Sequence, residues 1–277
     1  MESMKTVFIT GSSTGIGKET ALYFLKQGWQ VAATMRTPEQ SNLGSQPQLI
    51  TPRLDITKAD SLKSAWAEAS EKFGRIDVVV NNAGYGLTGP FEGASQEQIR
   101  RQFETNVFGL MSLCQHAISD WRTKKQPGTL INITSVGGRV TFPYYSLYHS
   151  TKWAVEGFSE SLNYEVAPLG IRVKIVEPGA IETDFSSRSA DRTDDKAPAE
   201  YQVALKLGRA NMRKAVENPT KPIEVAKVIF EAATSTSTQL RYKVGNDAKL
   251  ILYLRRLLPE RLFFAIIHSQ IFKGAKA

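Results

Sequence analysis

Residues 10–17 read Thr-Gly-Ser-Ser-Thr-Gly-Ile-Gly and lie between a short apolar run, KTVFITG, and ETALYFLKQG, whose apolar residues recur at helical spacing until Gly28. A strand, a glycine turn and a helix in that order make the first βα junction of an open α/β sheet. Glycines there let the backbone turn tightly and come close to a ligand, while the N–H groups at the start of the helix face an anion such as a pyrophosphate. The spacing is Gly-x-x-x-Gly-x-Gly, not the Gly-x-Gly-x-x-Gly of the common dinucleotide loop. It also lacks the Gly-Lys-Ser/Thr ending of a triphosphatase loop. A glycine turn with no ligand is the plain alternative, but the position at a first βα junction favours a phosphate cradle.

The rest of the chain repeats that alternation. Strands are expected at QVAATMR, at 48–56, at IDVVVNNAG, at 129–135, at IRVKIVEP and at LRYKVG. Helices are expected at SLKSAWAEASEKFG, as one long element from Ser95 to about Trp121, over 147–167, and at PIEVAKVIFEAAT. IDVVV is apolar almost throughout, as a parallel strand covered on both faces must be. The expected fold is therefore α/β, a parallel sheet with helices on both faces, in a single domain spanning 1–277. The polar stretch of about 184–218 follows a strand's carboxyl end and is expected to be a lid. The tail, about 247–273, reads as two short apolar helices split at Pro259, neither long enough to span a bilayer. Packing on the domain, a subunit contact or a pocket wall is expected of it, with peripheral membrane contact the less favoured use.

Composition sets further bounds. The hydrophobic content of 42% supports a large core, and a single cysteine, Cys114, excludes an internal disulfide or a cysteine-based metal cluster. That, and an amino terminus that runs almost directly into MKTVFIT, leads us to expect a cytoplasmic protein. The net charge of +8 comes with no basic run interleaved with aromatics, so nucleic acid is not the expected partner. His116, His149 and His268 are scattered without metal-ligand spacing, and no metal is expected.

Several residues point to chemistry. The second strand ends at Thr34-Met35-Arg36, with no carboxylate to accept from a ribose hydroxyl and with a guanidinium able to grip a phosphate, which favours NADP(H) over NAD(H). Asn81-Asn82-Ala83-Gly84 closes a central strand, where asparagine side chains can tie neighbouring strand ends together and small residues leave room for a sugar or adenine. Ser135 follows the buried run GTLINIT, at the sheet edge where such folds bind ligands. Tyr148 and Lys152 are i and i+4 on one helix, so a phenol stands one turn from an ammonium. That charge is expected to lower the phenol's pKa and fit it for proton transfer. Tyr-x-x-x-Lys also arises by chance, but neither Tyr144 nor Tyr145 has a lysine four residues on. Asn106 interrupts the apolar stripe of the long helix and reads as a satisfied core amide or a functional donor.

With Thr10-Gly11, Gly15-Ile16-Gly17, Asn81 to Gly84, Asn106, Ser135, Tyr148, Lys152 and Pro178-Gly179 in order, residues 5–245 resemble the single-domain branch of the short-chain dehydrogenase/reductase family. The resemblance implies a Rossmann-like, doubly wound sheet of seven parallel strands. It also implies hydride exchange between a nicotinamide and a carbonyl or alcohol carbon. Tyr148 would give the proton, Lys152 would tune it and bind the nicotinamide ribose, Ser135 would hold the substrate oxygen, and Asn106 would fix a water in a proton relay. The cofactor set it marks is Gly11, Ser13, Gly15, Ile16, Gly17, Arg36, Asp55, Ile56, Asn82, Ala83, Gly84, Tyr148, Lys152, Pro178, Gly179, Ile181 and Thr183. Thr14 stands where some NADP users carry a basic residue, which leaves Arg36 as the main discriminator. The expected substrate is a moderately apolar ketone, aldehyde or alcohol, and the expected assembly a homodimer or homotetramer through the helices at 96–121 and 147–167. Two other readings stay open: a cofactor-binding sensor or scaffold without turnover, and a nucleotide-sugar epimerase or dehydratase.

Overall fold

In the computed structural model, which describes residues 4–182, 190–216 and 218–274, β1 (Thr6–Thr10) is buried at every position. Its side chains alternate between two cores. Phe8 faces one with Trp66, Leu113 and Val155, while Val7 and Ile9 face the other with Phe24, Val225 and Ile229. That period of two is what a strand needs when helices cover both faces.

The first core is roofed by α2 (Ala59–Phe73), α4 (Leu110–Thr123) and α5 (Ser146–Val166), the second by α1 (Gly15–Lys26) and α7 (Pro222–Thr234). Between them lie β1, β2 (Gln30–Thr34), β3 (Leu49–Ile50), β4 (Val78–Asn81), β6 (Gly128–Ile133), β7 (Ile171–Pro178) and β9 (Arg241–Val244). The sheet has seven strands in the order β3-β2-β1-β4-β6-β7-β9, each pair parallel. This is a Rossmann-like α/β sheet. Its order reverses between β1 and β4, and crevices at such a reversal, beyond the strands' carboxyl ends, are where these sheets take ligands.

The structure departs from the sequence reading at four places. The strand expected over 48–56 is only two residues long, because Pro52 has no N–H for the ladder; past it a single bridge joins Met35 to Arg53. The helix expected from Ser95 to Trp121 is broken into α3 (Gln96–Phe103), a π-helical turn at Glu104–Gly109, and α4. At Gly109 the backbone lies so close to Ile56 that a Cβ would press on its side chain and carbonyl. The polar stretch of about 184–218, for which no strand or helix is expected, contains regular structure among its described residues: β8 (Ala190–Arg192) pairs in parallel with β5 (Gly86–Thr88), and α6 (Gln202–Ala215) follows. The fourth difference lies in the electrostatics of Tyr148. The tail has the expected two helices, α8 (Asn246–Leu257) and α9 (Glu260–Ile271), parted at Pro259. Ala248, Leu252 and Phe263 form a third, smaller core with Val136 and Val140.

Candidate active site

At the reversal point the glycine loop and β4 are stitched together. Asn82 donates from Nδ2 to the carbonyls of Thr10 (2.9 Å) and Gly11 (3.0 Å). In return Thr10 Oγ1 accepts from the backbone N–H groups of Asn82 (3.0 Å) and Ala83 (2.9 Å). Gly17 packs so tightly under this joint that a Cβ would strike the Gly11 carbonyl and the Asn82 amide. Gly11 has φ +70°, a conformation that favours glycine. No side chain caps α1, where Thr14 is the N-cap, so its first N–H groups form a cradle of the kind a phosphate needs. Ser13 is exposed on this loop and Ile16 and Gly15 begin the helix.

Around the loop the other marked residues fall on the same edge. Arg36 is exposed just past β2, and its charge acts on the Asp55 carboxyl. Burial would raise the Asp55 carboxyl, but hydrogen bonds from Thr57 and the charges of Lys58 and Arg36 outweigh it and hold the pKa below the usual value. Ile56 packs against α4. Beyond β7, Gly179 N–H donates to the Val244 carbonyl (2.9 Å), and Ala180 N–H to Asp247 Oδ2 (2.7 Å). Ile181 makes a bridge to Thr220. Thr183 lies outside the described residues.

Asn106 sits in the π-helical turn, a feature that often marks functional segments. Both hydrogens of its amide are engaged, with the Tyr85 carbonyl (2.9 Å) and Thr151 Oγ1 (3.1 Å), and its oxygen accepts from Tyr85 N–H (3.1 Å). It therefore joins the segment after Gly84 to α5. Tyr85 and Thr151, which the sequence did not single out, complete this strut. Only their partners far along the chain reveal them.

The reactive group stands where β6 ends. Ser135 Oγ accepts from Gly137 N–H (3.0 Å), reaches the Pro178 carbonyl (3.5 Å), and hydrogen-bonds Tyr148. Lys152, one turn beyond Tyr148 on α5, donates from Nζ to the Ile133 carbonyl (2.9 Å), and its nitrogen lies 5.7 Å from the Tyr148 ring centre. The fourth departure is electrostatic. Tyr148 is not made more acidic in this structure; burial pushes its pKa up to about 12, against the opposing pull of Ser135. Burial likewise brings Lys152 down to about 8, with Glu156 acting the other way. Both groups are 9% exposed or less, and removal from water outweighs the hydrogen bond of Ser135 on the phenol and the charge of Glu156 on the lysine. At neutral pH the site therefore holds a protonated phenol beside a lysine that is still largely cationic.

Two features behind the site escaped the sequence reading. His149, noted in the sequence only as lacking metal-ligand spacing, stacks on Tyr145 at 5.4 Å and accepts from Phe142 N–H (3.3 Å), and burial lowers its pKa to about 4. Glu156 is buried and accepts from Thr134 Oγ1 (2.7 Å) and Arg241 Nε (3.0 Å), in a network that continues through Glu177 to Arg139. Beside the site, an apolar cleft of about 680 Å³ is lined by Phe142, Tyr144, Trp153, Phe264 and Ile267 among others; neither Ser135 nor Tyr148 borders it. Among the described residues, no group of His, Cys, Asp and Glu is placed to hold a metal, and no helix is long and apolar enough to cross a membrane.

Comparison with known proteins bears on this arrangement. Residues 5–194 match the family model described as short chain dehydrogenase. A 3-ketodihydrosphingosine reductase from Bacteroides thetaiotaomicron is 34% identical over 273 residues, which cover 94% of this chain and 98% of that one. Among solved structures, a short-chain dehydrogenase from Streptomyces avermitilis superposes with a TM-score of 0.84 at 31% identity, over 97% of each chain. ElxO with NADP bound superposes with a TM-score of 0.70 at 28% identity, over 87% of this chain and 97% of its own.

Proposed function

Because the chain belongs to the short-chain dehydrogenase family, we propose that it is an NADP(H)-dependent oxidoreductase acting between a carbonyl and an alcohol carbon of a moderately apolar substrate, chiefly as a ketone or aldehyde reductase. The observation that carries this reading is the Ser135–Tyr148–Lys152 group at the carboxyl edge of the sheet, beside a glycine cradle that a Cβ would fill. A relative named as a ketone reductase and a neighbour with NADP bound support the substrate class and the cofactor.

The cradle fits a dinucleotide: Gly11, Gly15 and Gly17 with the α1 N-terminus would hold the pyrophosphate, and Arg36 a ribose phosphate. When bound, the nicotinamide supplies or takes up the hydride. Ser135 and Tyr148 hold the substrate oxygen between two hydroxyls. As negative charge grows on that oxygen, Tyr148 gives it the phenolic proton, which burial has kept in place. Lys152 then stabilises the phenolate electrostatically and takes a further part in holding the ribose. We place Asn106 in the proton relay as the residue that fixes a water; both amide hydrogens are committed to Tyr85 and Thr151, so that water would donate to one of its oxygens. The remaining marked residues, Ser13, Ile16, Asp55, Ile56, Asn82, Ala83, Gly84, Pro178, Gly179, Ile181 and Thr183, we place along the cofactor. We propose one domain working in the cytoplasm as a homodimer or homotetramer, with Phe108, Trp153 and Tyr164 exposed on the helices expected at the contact.

The test is NADPH consumption across a panel of apolar ketones and aldehydes. Turnover by the wild type is expected to fall about a hundred- to ten-thousandfold in Tyr148→Phe, while fluorescence titration finds NADPH binding retained. Turnover that persists in the variant overturns the assigned acid.

A further inference from the structure

Among the described residues, fourteen large apolar side chains are exposed, and six of them, Leu250, Tyr253, Leu257, Leu262, Phe264 and Ile266, fall on α8 and α9. The sequence explains why packing on the domain does not use them. On α8 the inward stripe is Ala248 and Leu252, at i and i+4, whereas Leu250, Tyr253 and Leu257 recur at i, i+3 and i+7 on the opposite side. Each of those three is more than half exposed. On α9, Phe263 and Ile271 are buried while Leu262 and Ile266 turn outward. The tail is thus apolar on two sides, and only one has a partner.

The charges around the outward side suggest what covers it. Residues 247–273 carry five cations, Lys249, Arg255, Arg256, Arg261 and Lys273, against Asp247 and Glu260. Both carboxylates are engaged within the chain, Asp247 by Ala180 N–H and Glu260 by Arg255. Lys249, Arg256 and Arg261 are exposed beside the apolar rows. Two copies of such a face brought together would set like charges against each other. A surface with anionic headgroups over an acyl layer satisfies both parts of the pattern at once.

We infer that the outward face of α8 and α9 docks this protein on an anionic lipid surface, with Leu250, Tyr253, Leu257 and Leu262 entering the headgroup boundary and Lys249, Arg256 and Arg261 meeting lipid phosphates. The inference goes beyond the oxidoreductase reading and does not depend on it. Docking would also bring α9, whose Phe264 and Ile267 line the apolar cleft, to the level where apolar molecules reside.

The test is flotation of the full chain with vesicles of phosphatidylcholine alone and of phosphatidylcholine with phosphatidylglycerol, at low and high salt, alongside sedimentation velocity without lipid. Binding is expected to the anionic vesicles and to weaken with salt. The triple variant Lys249→Glu, Arg256→Glu, Arg261→Glu is expected to lose affinity on the order of a hundredfold. Leu250→Gln with Leu257→Gln should weaken binding with the charges intact; circular dichroism checks that both variants stay folded. No flotation, equal flotation with neutral vesicles, or binding indifferent to both variants overturns the inference. So does a change of oligomeric state in the variants without vesicle binding, which would show that a second copy covers the face.

Discussion

Lys152 reaches back from α5 and donates its ammonium to the Ile133 carbonyl at 2.9 Å, which pins the helix carrying Tyr148 to the strand whose end presents Ser135. The approach of phenol to serine, which hydrogen-bond each other, is thereby supported by a second bond that involves neither. The same bond holds a cation in a place where burial has brought its pKa down to about 8.

That value sets the alkaline limit of reduction. The rate is expected to fall as pH rises through about 8, when Lys152 loses its proton and can no longer stabilise the phenolate. Stability should move the other way. The folded pKa lies below the ordinary 10.5, so the unfolded chain binds the proton more tightly and Lys152 makes folding more favourable as pH rises from 8 to 10.5. Because Glu156 raises the Lys152 value, Glu156→Gln is expected to shift the activity limb to lower pH. An unmoved limb in a pH–rate profile of that variant rejects the assignment.

Arg36→Ala tests the cofactor choice. A charged hydrogen bond to a ribose phosphate contributes about 1.5–3 kcal/mol, so NADPH affinity should fall roughly ten- to a hundredfold while NADH affinity stays the same. Parallel titrations with the two cofactors decide it, and a retained preference sinks it.

His149 makes the fold acid-sensitive. Its pKa in the fold, about 4, is below the ordinary 6.5, so the unfolded chain takes up the proton first. Its contribution is present above pH 6.5 and is lost as pH falls towards 4, to a total of about 3 kcal/mol. His149→Asn, which keeps an acceptor for Phe142 N–H but does not titrate, should lose less stability between pH 7 and 4.5 than the wild type in urea unfolding.

Gly17→Ala is expected to weaken dinucleotide binding and to cost about 1–3 kcal/mol of stability, because the added methyl must displace the Gly11 carbonyl or the Asn82 amide. Thermal unfolding with and without NADPH measures both. Gly28→Ala serves as a control of the other kind: its φ of +78° is strained for alanine, but a Cβ there meets nothing.

What could be read from the chain itself was whatever depends on near neighbours. The βα alternation follows from periods of two and 3.6 in the apolar residues. The facing of Tyr148 and Lys152 follows from four residues of helix, and the break at Pro259 from a missing N–H and a fixed φ. Where the reading failed, the cause lies between distant residues. The pairing of β5 with β8 joins Gly86 to Ala190, and Asn106 finds Tyr85 only once a π turn has formed against Ile56. The network behind Lys152 joins Glu156 to Arg241. The phenol is the clearest instance: spacing along one helix placed a cation beside it and suggested a lowered pKa. Burial, which no local pattern records, raised it instead, because the low-dielectric interior penalises the charged form of Tyr148 more than the hydrogen bond with Ser135 offsets.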